Sequence, residues 1–363
     1  MRGLVLEGVG RIGLRDDLPE PTLEDPLDAL VAVTAAGLCG SDLHPYRGHE
    51  PARPGVVPGH EVVGHVTAVG PQVRSVAPGD RVLAAFTTSC GTCPPCRRGL
   101  TARCGQGRLF GWGAPDAPPE GALHGGQAER IRIPLADGTL VRVPEQVDDA
   151  TALLLTDNLP TGLEAVQRTG VRTGDALVVV GLGSVGLCAV AAALHLGADP
   201  VVGVDPVADR RERAERLGAA RAVEPEQAVD ALADLLRDRG RPAVEVEPTA
   251  PAVIDAAGNA SGQRLAFDLT RPGGTCSIIA VQTTDRFAFT PVEAYDRNVG
   301  VRVGRASARA TLEDLLPRVA AGEYPVPTAT VLTHLDVALE DGPALYERFD
   351  RHEDGLVKAM LRP

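Results

Sequence analysis

Residues 176–197 read ALVVVGLGSVGLCAVAAALHLG and decide the fold of the second half of the chain. The apolar run at its start is typical of a buried β-strand. A G-x-G-x-x-G turn follows at once and opens a helix. In such a turn Gly181 makes the tight bend, Gly183 lets the backbone approach a pyrophosphate, and Gly186 allows close helix–strand packing. The stretch therefore predicts a strand–turn–helix unit with an anion site at the helix N-terminus.

Asp205 ends the next strand, nineteen residues after Gly186. A carboxylate at that place accepts hydrogen bonds from the adenine ribose of a bound dinucleotide, which favours NAD over NADP. A glycine-rich turn of purely structural use is the alternative, and a lone G-x-G-x-x-G often is one. The strand, the helix and the acidic residue in register favour cofactor binding.

The glycine-rich turn lies within a longer alternation of strands and helices. Apolar strands such as PVVGVD and TCSIIAV alternate with helix-like segments such as ADRRERAERLG. This alternation predicts a parallel, doubly wound sheet. The first part of the chain instead has short β-branched runs between Gly/Pro turns, which predict a partly barrel-like β domain. We therefore predict an α/β chain with a β-rich domain at 1–157 and 303–363 and an inserted nucleotide-binding domain at 158–302.

Composition limits the classes of protein that this chain can be. It has 363 residues, 44% of them hydrophobic and 23% charged, which is typical of a globular protein with two domains. No apolar stretch has the length of a membrane span, and the N-terminus lacks the features of a signal peptide, so we expect a cytoplasmic protein with no membrane partner. The net charge of −12 and the lack of a basic stripe disfavour nucleic acid as a partner.

Four of the seven cysteines form a C-x2-C-x2-C-x7-C lobe at 90–104. In an enzyme-sized chain this spacing indicates metal binding rather than disulfides. Four thiolates close the tetrahedral shell of zinc, which predicts a structural site. The alternatives are a nucleic-acid-binding knuckle, which the acidic chain disfavours, and a redox dithiol, which the two flanking cysteines disfavour. The predicted ligands are Cys90, Cys93, Cys96 and Cys104.

A second group of possible metal ligands is less evident from spacing. Cys39 lies in CGSDLH, while His60 and Glu61 lie in GHEVVGHVTAVG. Together they offer a thiolate, an imidazole and a carboxylate at two loop positions. Taken singly, Cys39 fits a buried apolar cysteine and His60 fits a satisfied core histidine.

The chain resembles the zinc-containing alcohol dehydrogenases of the medium-chain dehydrogenase/reductase family essentially end to end. Five motifs carry the resemblance in family order, namely CGSDLH, GHEVVGHVTAVG, GDRV, the four-cysteine lobe and GLGSVG. The resemblance implies a GroES-like β-rich catalytic domain and a Rossmann domain. It makes Cys39 and His60 ligands of a catalytic zinc, which with the lobe gives two zinc ions per subunit. It makes Asp42 the carboxylate that orients the ligand histidine, and Glu61 the carboxylate that can approach the metal during ligand exchange.

The third ligand position departs from many members of that family. The stretch before the second domain reads TDNLPTG, which places Asp157 where many of these enzymes carry cysteine. Aspartate is a competent zinc ligand and leaves the fourth position for water or substrate. The motif resembles the glutathione-independent formaldehyde dehydrogenase and dismutase branch, which retains its cofactor, although the long insertion that covers the cofactor there is missing. The substrate class therefore stays open between alcohols (primary, secondary or polyol) and formaldehyde. A non-catalytic binding protein is a further alternative, but it predicts loss of the catalytic ligands, and Cys39, His60 and Asp157 are all present.

The resemblance also implies a mechanism. Zinc lowers the pKa of the substrate alcohol so that hydride can pass to the nicotinamide. Ser41 matches the hydroxyl that takes the substrate proton, and His44 matches the histidine that passes it to solvent. Phe86 matches a position lining the substrate pocket, with a core aromatic as the alternative. Loop packing is the favoured interpretation of Phe110, Trp112 and His124, with the border of the active-site entrance as the alternative.

Two basic residues complete the implied cofactor site. Arg210 matches a residue that contacts the adenosine ribose, with a solvated helix charge as the alternative, and Lys358 matches a C-terminal residue near the pyrophosphate. Members of the family suggest a homodimer or homotetramer acting on a small alcohol or aldehyde. The full set of predicted cofactor residues is Gly181, Gly183, Ser184, Val185, Gly186, Asp205, Arg210, Ile279, Val281 and Lys358.

Overall fold

The computed structural model describes residues 1–50, 54–112, 122–238, 249–282 and 284–363. The chain divides into two compact units. The first comprises Met1–Pro160, Ser307–Tyr324 and Leu332–Pro363, and the second comprises Thr161–Ala306 and Pro325–Val331. The predicted boundaries after residues 157 and 302 lie a few residues away from these, and no motif marked 325–331 as part of the second unit.

The secondary-structure elements are numbered along the chain. The strands are β1 (Gly3–Gly8), β2 (Arg11–Arg15), β3 (Ala29–Leu38), β4 (Val62–Val69), β5 (Arg81–Ala84), β6 (Arg130–Ile133), β7 (Leu140–Arg142), β8 (Leu177–Val180), β9 (Val201–Val204), β10 (Arg221–Val223), β11 (Ala250–Asp255), β12 (Thr270–Ile278), β13 (Gly300–Val303), β14 (His334–Ala338) and β15 (Ala359–Arg362). The helices are α1 (Leu43–Tyr46), α2 (Pro94–Arg97), α3 (Ala136–Thr139), α4 (Asp149–Thr156), α5 (Asn158–Thr169), α6 (Ser184–His195), α7 (Ala208–Leu217), α8 (Ala228–Asp238), α9 (Ala260–Leu269), α10 (Pro291–Asp296), α11 (Ala308–Ala320), α12 (Thr328–Val331) and α13 (Gly342–Asp350).

The first unit is built on a mainly antiparallel sheet, as its β-branched runs predict. The strand order is β14-β15-β3-β4-β5-β7, and β6 pairs with β3. Buried Val, Leu and Ile side chains from β3, β4 and β6 form its core together with Tyr346 and Phe349 of α13. The register sets Ala36 of β3 opposite Val62 of β4, and Leu38 of β3 opposite Ala359 of β15. Three distant parts of the sequence therefore meet at the end of β3.

The second unit is the doubly wound domain that the strand–helix alternation predicts. Its six strands are all parallel and run in the order β10-β9-β8-β11-β12-β13. The apolar side chains of β8, β9 and β11 are almost completely buried, as expected for strands covered on both faces. The order reverses between β8 and β11, and ligands of such sheets bind at this switch point, beyond the carboxyl ends of the strands. The predicted fold class is confirmed.

Across the described ranges, no helix combines the length and the apolar character that crossing a bilayer demands.

Candidate active site

The glycine-rich turn after β8 leaves room for a ligand at the start of α6. Gly181 has φ +91°, and a Cβ there would lie 2.6 Å from the Ala257 nitrogen. A Cβ on Gly186 would overlap the Gly181 carbonyl oxygen, so α6 packs directly on the turn. Gly183 instead faces open space and is the N-cap of α6 without a side-chain cap. The first N–H groups of α6 are therefore available to an anion, as a pyrophosphate site requires.

Asp205 lies at the end of β9, beside the turn. Its two carboxylate oxygens accept hydrogen bonds from the Leu182 and Val207 N–H groups, both at 2.8 Å. The Arg210 guanidinium lies 3.7 Å away. Asp205 thus ties the glycine-rich turn to the next strand, and Arg210 partly balances its charge. Two of the apolar residues predicted to contact the cofactor follow β12, and of these Ile279 is buried and Val281 is 40% exposed.

The four cysteines of the lobe converge within the first unit. Their sulfur atoms all lie within 4.8 Å of one another, and none is in a disulfide. The Cys90 N–H donates to the Cys104 sulfur and the Cys93 N–H to the Cys90 sulfur, both at 3.3 Å. Burial raises the pKa of the Cys96 thiol to about 12. The sulfurs therefore lie close enough together to bind one ion, and a divalent cation is what would let them ionise together.

A second cluster forms where β3, β4 and the α4–α5 junction meet. One ligand atom from each of four buried residues, namely Cys39, His60, Glu61 and Asp157, lies within 4.8 Å of the others. Cys39 follows β3, while His60 and Glu61 precede β4. Asp157 separates α4 from α5, and its Oδ2 is 3.5 Å from the His60 Nε2 and 3.9 Å from the Cys39 sulfur. The structure brings together all three predicted catalytic ligands.

Asp42 positions two of these ligands. Its Oδ1 lies 3.1 Å from the His60 Nδ1, and its Oδ2 accepts the Cys39 N–H at 2.9 Å. The His60 Nε2 thereby points into the cluster. Burial alone would lower the pKa of His60, but Asp42 and Asp157 outweigh burial and hold that pKa well above its usual value. The surrounding carboxylates therefore favour a positive charge in this cluster. A zinc ion would supply that charge in place of the proton on His60.

The two residues predicted to transfer the substrate proton, Ser41 and His44, follow Cys39 closely in the sequence. The Ser41 hydroxyl lies 3.3 Å from the His60 Nε2, at the edge of the ligand set. His44 follows in α1, and burial lowers its pKa, which keeps its imidazole neutral at neutral pH. Its Nδ1 is buried and has no hydrogen-bond partner among the residues that the structure describes, so it offers an unused donor or acceptor.

Two aromatic rings flank His60. Phe86 approaches it edge-on at 6.3 Å between centroids, and Trp112 lies 6.0 Å away on a tilted plane. The Trp112 indole N–H donates to the Glu50 carboxylate. The Trp112 ring thus lies beside the metal cluster, which favours the alternative of a residue that borders the active site over loop packing. Phe110 is fully buried in the core of the unit, and His124 accepts the Val57 N–H at 3.1 Å, which is packing as expected.

Comparison with known proteins shows the family of the chain. Residues 25–145 match the family profile of the alcohol dehydrogenase GroES-like domain, and residues 184–321 match that of the zinc-binding dehydrogenases. A probable zinc-binding alcohol dehydrogenase of Mycobacterium tuberculosis is 38% identical over 326 residues, covering 90% of this chain and 80% of the relative. This chain belongs to the zinc-dependent alcohol dehydrogenase family.

Solved structures of alcohol dehydrogenases agree with this assignment. The alcohol dehydrogenase from Thermus sp. ATN1 superposes with a TM-score of 0.88 at 35% identity, over 100% of this chain and 99% of that one. A putative zinc-binding dehydrogenase from Sinorhizobium meliloti 1021, bound to NADP, has a TM-score of 0.79 at 28% identity, over 100% and 99%. The chain is therefore an oxidoreductase of the alcohol dehydrogenase type.

One cofactor prediction for this alcohol dehydrogenase is wrong. The resemblance places Lys358 near the pyrophosphate, yet its side chain is fully buried in the first unit, where its ammonium pairs with the Glu61 carboxylate. The reason is the register of β15, which sets Ala359 opposite Leu38 and so brings Lys358 beside the catalytic cluster. Burial would lower the pKa of Lys358, but Glu61 outweighs it, so the pKa is raised and the ammonium stays charged.

Sequence reasoning also missed Asn158, which directly follows the candidate ligand Asp157. The Asn158 side chain is fully buried, and its Nδ2 lies 3.0 Å from the Glu61 Oε1 and 3.3 Å from the Asp157 Oδ2. A single asparagine carries no metal-binding spacing of its own. The only sequence signal for it is its place next to Asp157 in TDNLPTG.

Proposed function

We propose that the protein is a zinc-dependent, NAD-using alcohol dehydrogenase that interconverts a small alcohol and its aldehyde or ketone. The observation that carries the proposal is the buried cluster in which Cys39, His60 and Asp157 converge beside the Ser41 hydroxyl. Such a set of three ligands leaves one zinc position for a substrate oxygen. Zinc bound by these three residues would act as a Lewis acid and lower the pKa of an alcohol bound to it.

The residues around the cluster have distinct roles in this proposal. Ser41 accepts the alcohol proton, because its hydroxyl lies at the edge of the ligand set. His44 relays the proton to solvent, for which its lowered pKa leaves a neutral, proton-accepting ring at neutral pH. The aromatic faces of Phe86 and Trp112 give the substrate pocket an apolar wall beside His60.

The proposed function is tested with a substrate screen. Zinc-loaded protein is assayed for NAD reduction with primary, secondary and polyol alcohols and with formaldehyde. We expect at least one alcohol to be oxidised, and Ser41→Ala to lower kcat for that alcohol by about 10²- to 10⁴-fold, as loss of a proton-transfer group does. If zinc-loaded protein oxidised none of these compounds, the proposed activity would be wrong.

A second candidate is a formaldehyde dehydrogenase or aldehyde dismutase with retained NAD. It is favoured by Asp157, the ligand type of that branch, and by its position in the cluster. This candidate predicts that NAD stays bound through gel filtration and that an aldehyde turns over without added NAD. Turnover that depends fully on added NAD would exclude it.

We predict that NAD is used in preference to NADP. Asp205 is 3% exposed and stands at the end of β9, where a 2′-phosphate would meet its negative charge. We expect kcat/KM to be at least about tenfold higher with NAD, which corresponds to about 1.4 kcal/mol. Asp205→Asn, which removes the charge and keeps the shape, should reduce that ratio. A preference for NADP is the competing outcome, because the similar dehydrogenase from Sinorhizobium meliloti is bound to NADP. The Arg211 guanidinium, next to Arg210, donates to the Asp205 carbonyl oxygen at 2.8 Å. Equal use of both cofactors would show that these two arginines, rather than the Asp205 carboxylate, control the choice of cofactor.

We also predict two zinc ions per chain, one in each cluster. Metal analysis of the purified protein should return about two, and Cys93→Ser should remove the zinc of the four-cysteine site while the catalytic zinc remains. The melting temperature should fall, because a structural zinc contributes its binding free energy to folding. A wild-type protein with one zinc, lost in Cys93→Ser, would contradict the catalytic-metal assignment.

A homo-oligomer is our proposal for the assembly. β13 is the end strand of the parallel sheet, and such an edge offers unpaired backbone groups to a second copy. Val303 at its end is 49% exposed, and Val292 and Tyr295 of the preceding α10 are 66% and 82% exposed. A two-fold pairing of β13 would cover these apolar side chains. Light scattering should give the mass of a dimer or tetramer, and Val303→Glu should shift it towards the monomer; a monomeric wild type would contradict the proposal.

We further propose a cytoplasmic location and small-molecule partners rather than nucleic acid. All seven cysteines are free thiols, and the two ligand clusters hold five of them, which suits a reducing compartment. The net charge of −12 supports the absence of a nucleic-acid partner.

A further inference from the structure

The carboxylate of Glu61 is held by one hydrogen bond and one ion pair although it belongs to the catalytic cluster. The Asn158 Nδ2 donates to its Oε1 at 3.0 Å, and the Lys358 ammonium pairs with its Oε2. All three side chains are fully buried, so no water competes for these contacts. Gly37 makes room for the arrangement, because a Cβ there would overlap the Glu61 carboxylate.

The position of Glu61 decides how many protein ligands a metal finds here. Cys39, His60, Asp157 and Glu61 each place one ligand atom within the same 4.8 Å. Four protein ligands would close the tetrahedral shell of zinc and leave no place for a substrate, whereas three leave one place open. An open site therefore needs something that keeps one of the four away from the ion.

Asn158 has the geometry to do this. Its Nδ2 lies between two carboxylates, 3.0 Å from the Glu61 Oε1 and 3.3 Å from the Asp157 Oδ2. It is a neutral donor, so it satisfies a Glu61 oxygen without adding a charge that would compete with the ion. Lys358 holds the other oxygen, so loss of Asn158 alone would free the Oε1 while leaving the charge of Glu61 compensated.

We propose that Asn158 is a positioning residue that keeps Glu61 out of the zinc ligand set and so keeps the fourth coordination position open to substrate. The proposal rests on the proposed function, because it takes Cys39, His60 and Asp157 as the three zinc ligands. In this proposal Asn158 determines whether the metal site is open or closed, which is more than the packing role of an ordinary buried amide.

The test replaces Asn158 with leucine, which has a similar size and no donor. Glu61 should then bind the metal as a fourth ligand. We expect zinc to leave this site more slowly when EDTA is added, by about ten- to a hundredfold, which is the size of effect that partners of metal ligands have. In cobalt-substituted protein, azide should change the visible spectrum of the wild type, whose position is open, and leave that of Asn158→Leu unchanged. Alcohol oxidation should fall in parallel.

A merely structural role for Asn158 predicts the opposite metal behaviour. Loss of an ordinary support of the ligands weakens metal binding, so zinc would leave faster. Faster or unchanged release, or an azide response equal to that of the wild type, would overturn the proposal. Asn158→Ala carries the same expectations and serves if the leucine variant does not fold.

A double-variant background supplies the control. In Glu61→Gln/Lys358→Met protein the competing carboxylate and its buried partner are both neutral. Adding Asn158→Leu there should not slow zinc release, because no carboxylate remains to enter the ligand set. Slowing in that background would overturn the role of Glu61. Failure of the proposed function gives a different result: wild-type protein would then show no azide-sensitive metal at this site at all.

Discussion

Asp157→Ala should abolish alcohol oxidation and remove one zinc ion per chain while NADH still binds. Asp157 supplies the only carboxylate of the three proposed ligands, and its Oδ2 lies 3.5 Å from the His60 Nε2 in a buried cluster. Without it, the thiolate of Cys39 and the imidazole of His60 remain, which is one ligand fewer than a catalytic zinc requires. Metal analysis, turnover and NADH fluorescence titration measure the three parts of this expectation.

Asp157→Cys is the matched control for this prediction. A thiolate is a common zinc ligand, so the metal should stay, although the longer bond and altered charge distribution should slow turnover. If Asp157 only supported the start of α5, alanine would cost about 0.5–2 kcal/mol of stability and leave the zinc in place. An Asp157→Ala protein with two zinc ions and near-normal activity would contradict the ligand assignment, and Glu61 would be the replacement ligand.

The fold could be predicted from the sequence because its signals are local. The run ALVVVGLGSVG contains a strand, a turn and a helix start in eleven consecutive residues. Gly181 and Gly186 each have a steric reason in the structure, and Gly183 leaves the start of α6 accessible. The four-cysteine lobe is equally local, since one short loop holds all its ligands. For both, spacing along the chain was enough to predict which residues meet.

The surroundings of Glu61 could not be predicted in this way. Lys358 reaches it through the pairing of β15 with β3, a register between residues more than three hundred positions apart. Asn158 and Trp112 have no periodicity or spacing that separates them from ordinary packing residues. Their roles follow only from where the sheet and the α4–α5 junction place them. The family resemblance predicted the catalytic ligands and Asp42, but no pattern in the sequence predicted the contacts of Asn158 and Lys358 with Glu61.

Lys358→Met should lower the free energy of unfolding by about 3–5 kcal/mol, the cost of leaving a buried charge without its partner. Lys358 and Glu61 are both 0% exposed, so in the variant the Glu61 carboxylate has no solvent to compensate it. Urea denaturation of the zinc-loaded protein measures the loss. Arg351→Met is the control, because the Arg351–Glu347 pair is 63% and 59% exposed and 3.6 Å apart. Exposed pairs contribute little, so this variant should unfold like the wild type.

The double variant Lys358→Met/Glu61→Gln separates the charge pair from the packing of the lysine stem. If the loss in Lys358→Met comes from the uncompensated carboxylate, removing that charge should restore most of the stability, since a buried ion pair and a neutral pair of similar volume are often close in free energy. If Lys358→Met yields no folded protein while the double variant folds, the uncompensated carboxylate has cost more stability than the protein has. That result would also support the charge explanation. A Lys358→Met protein within about 1 kcal/mol of the wild type would show instead that Glu61 is neutral in the folded protein, and that Lys358 contributes mainly by packing at the end of β3.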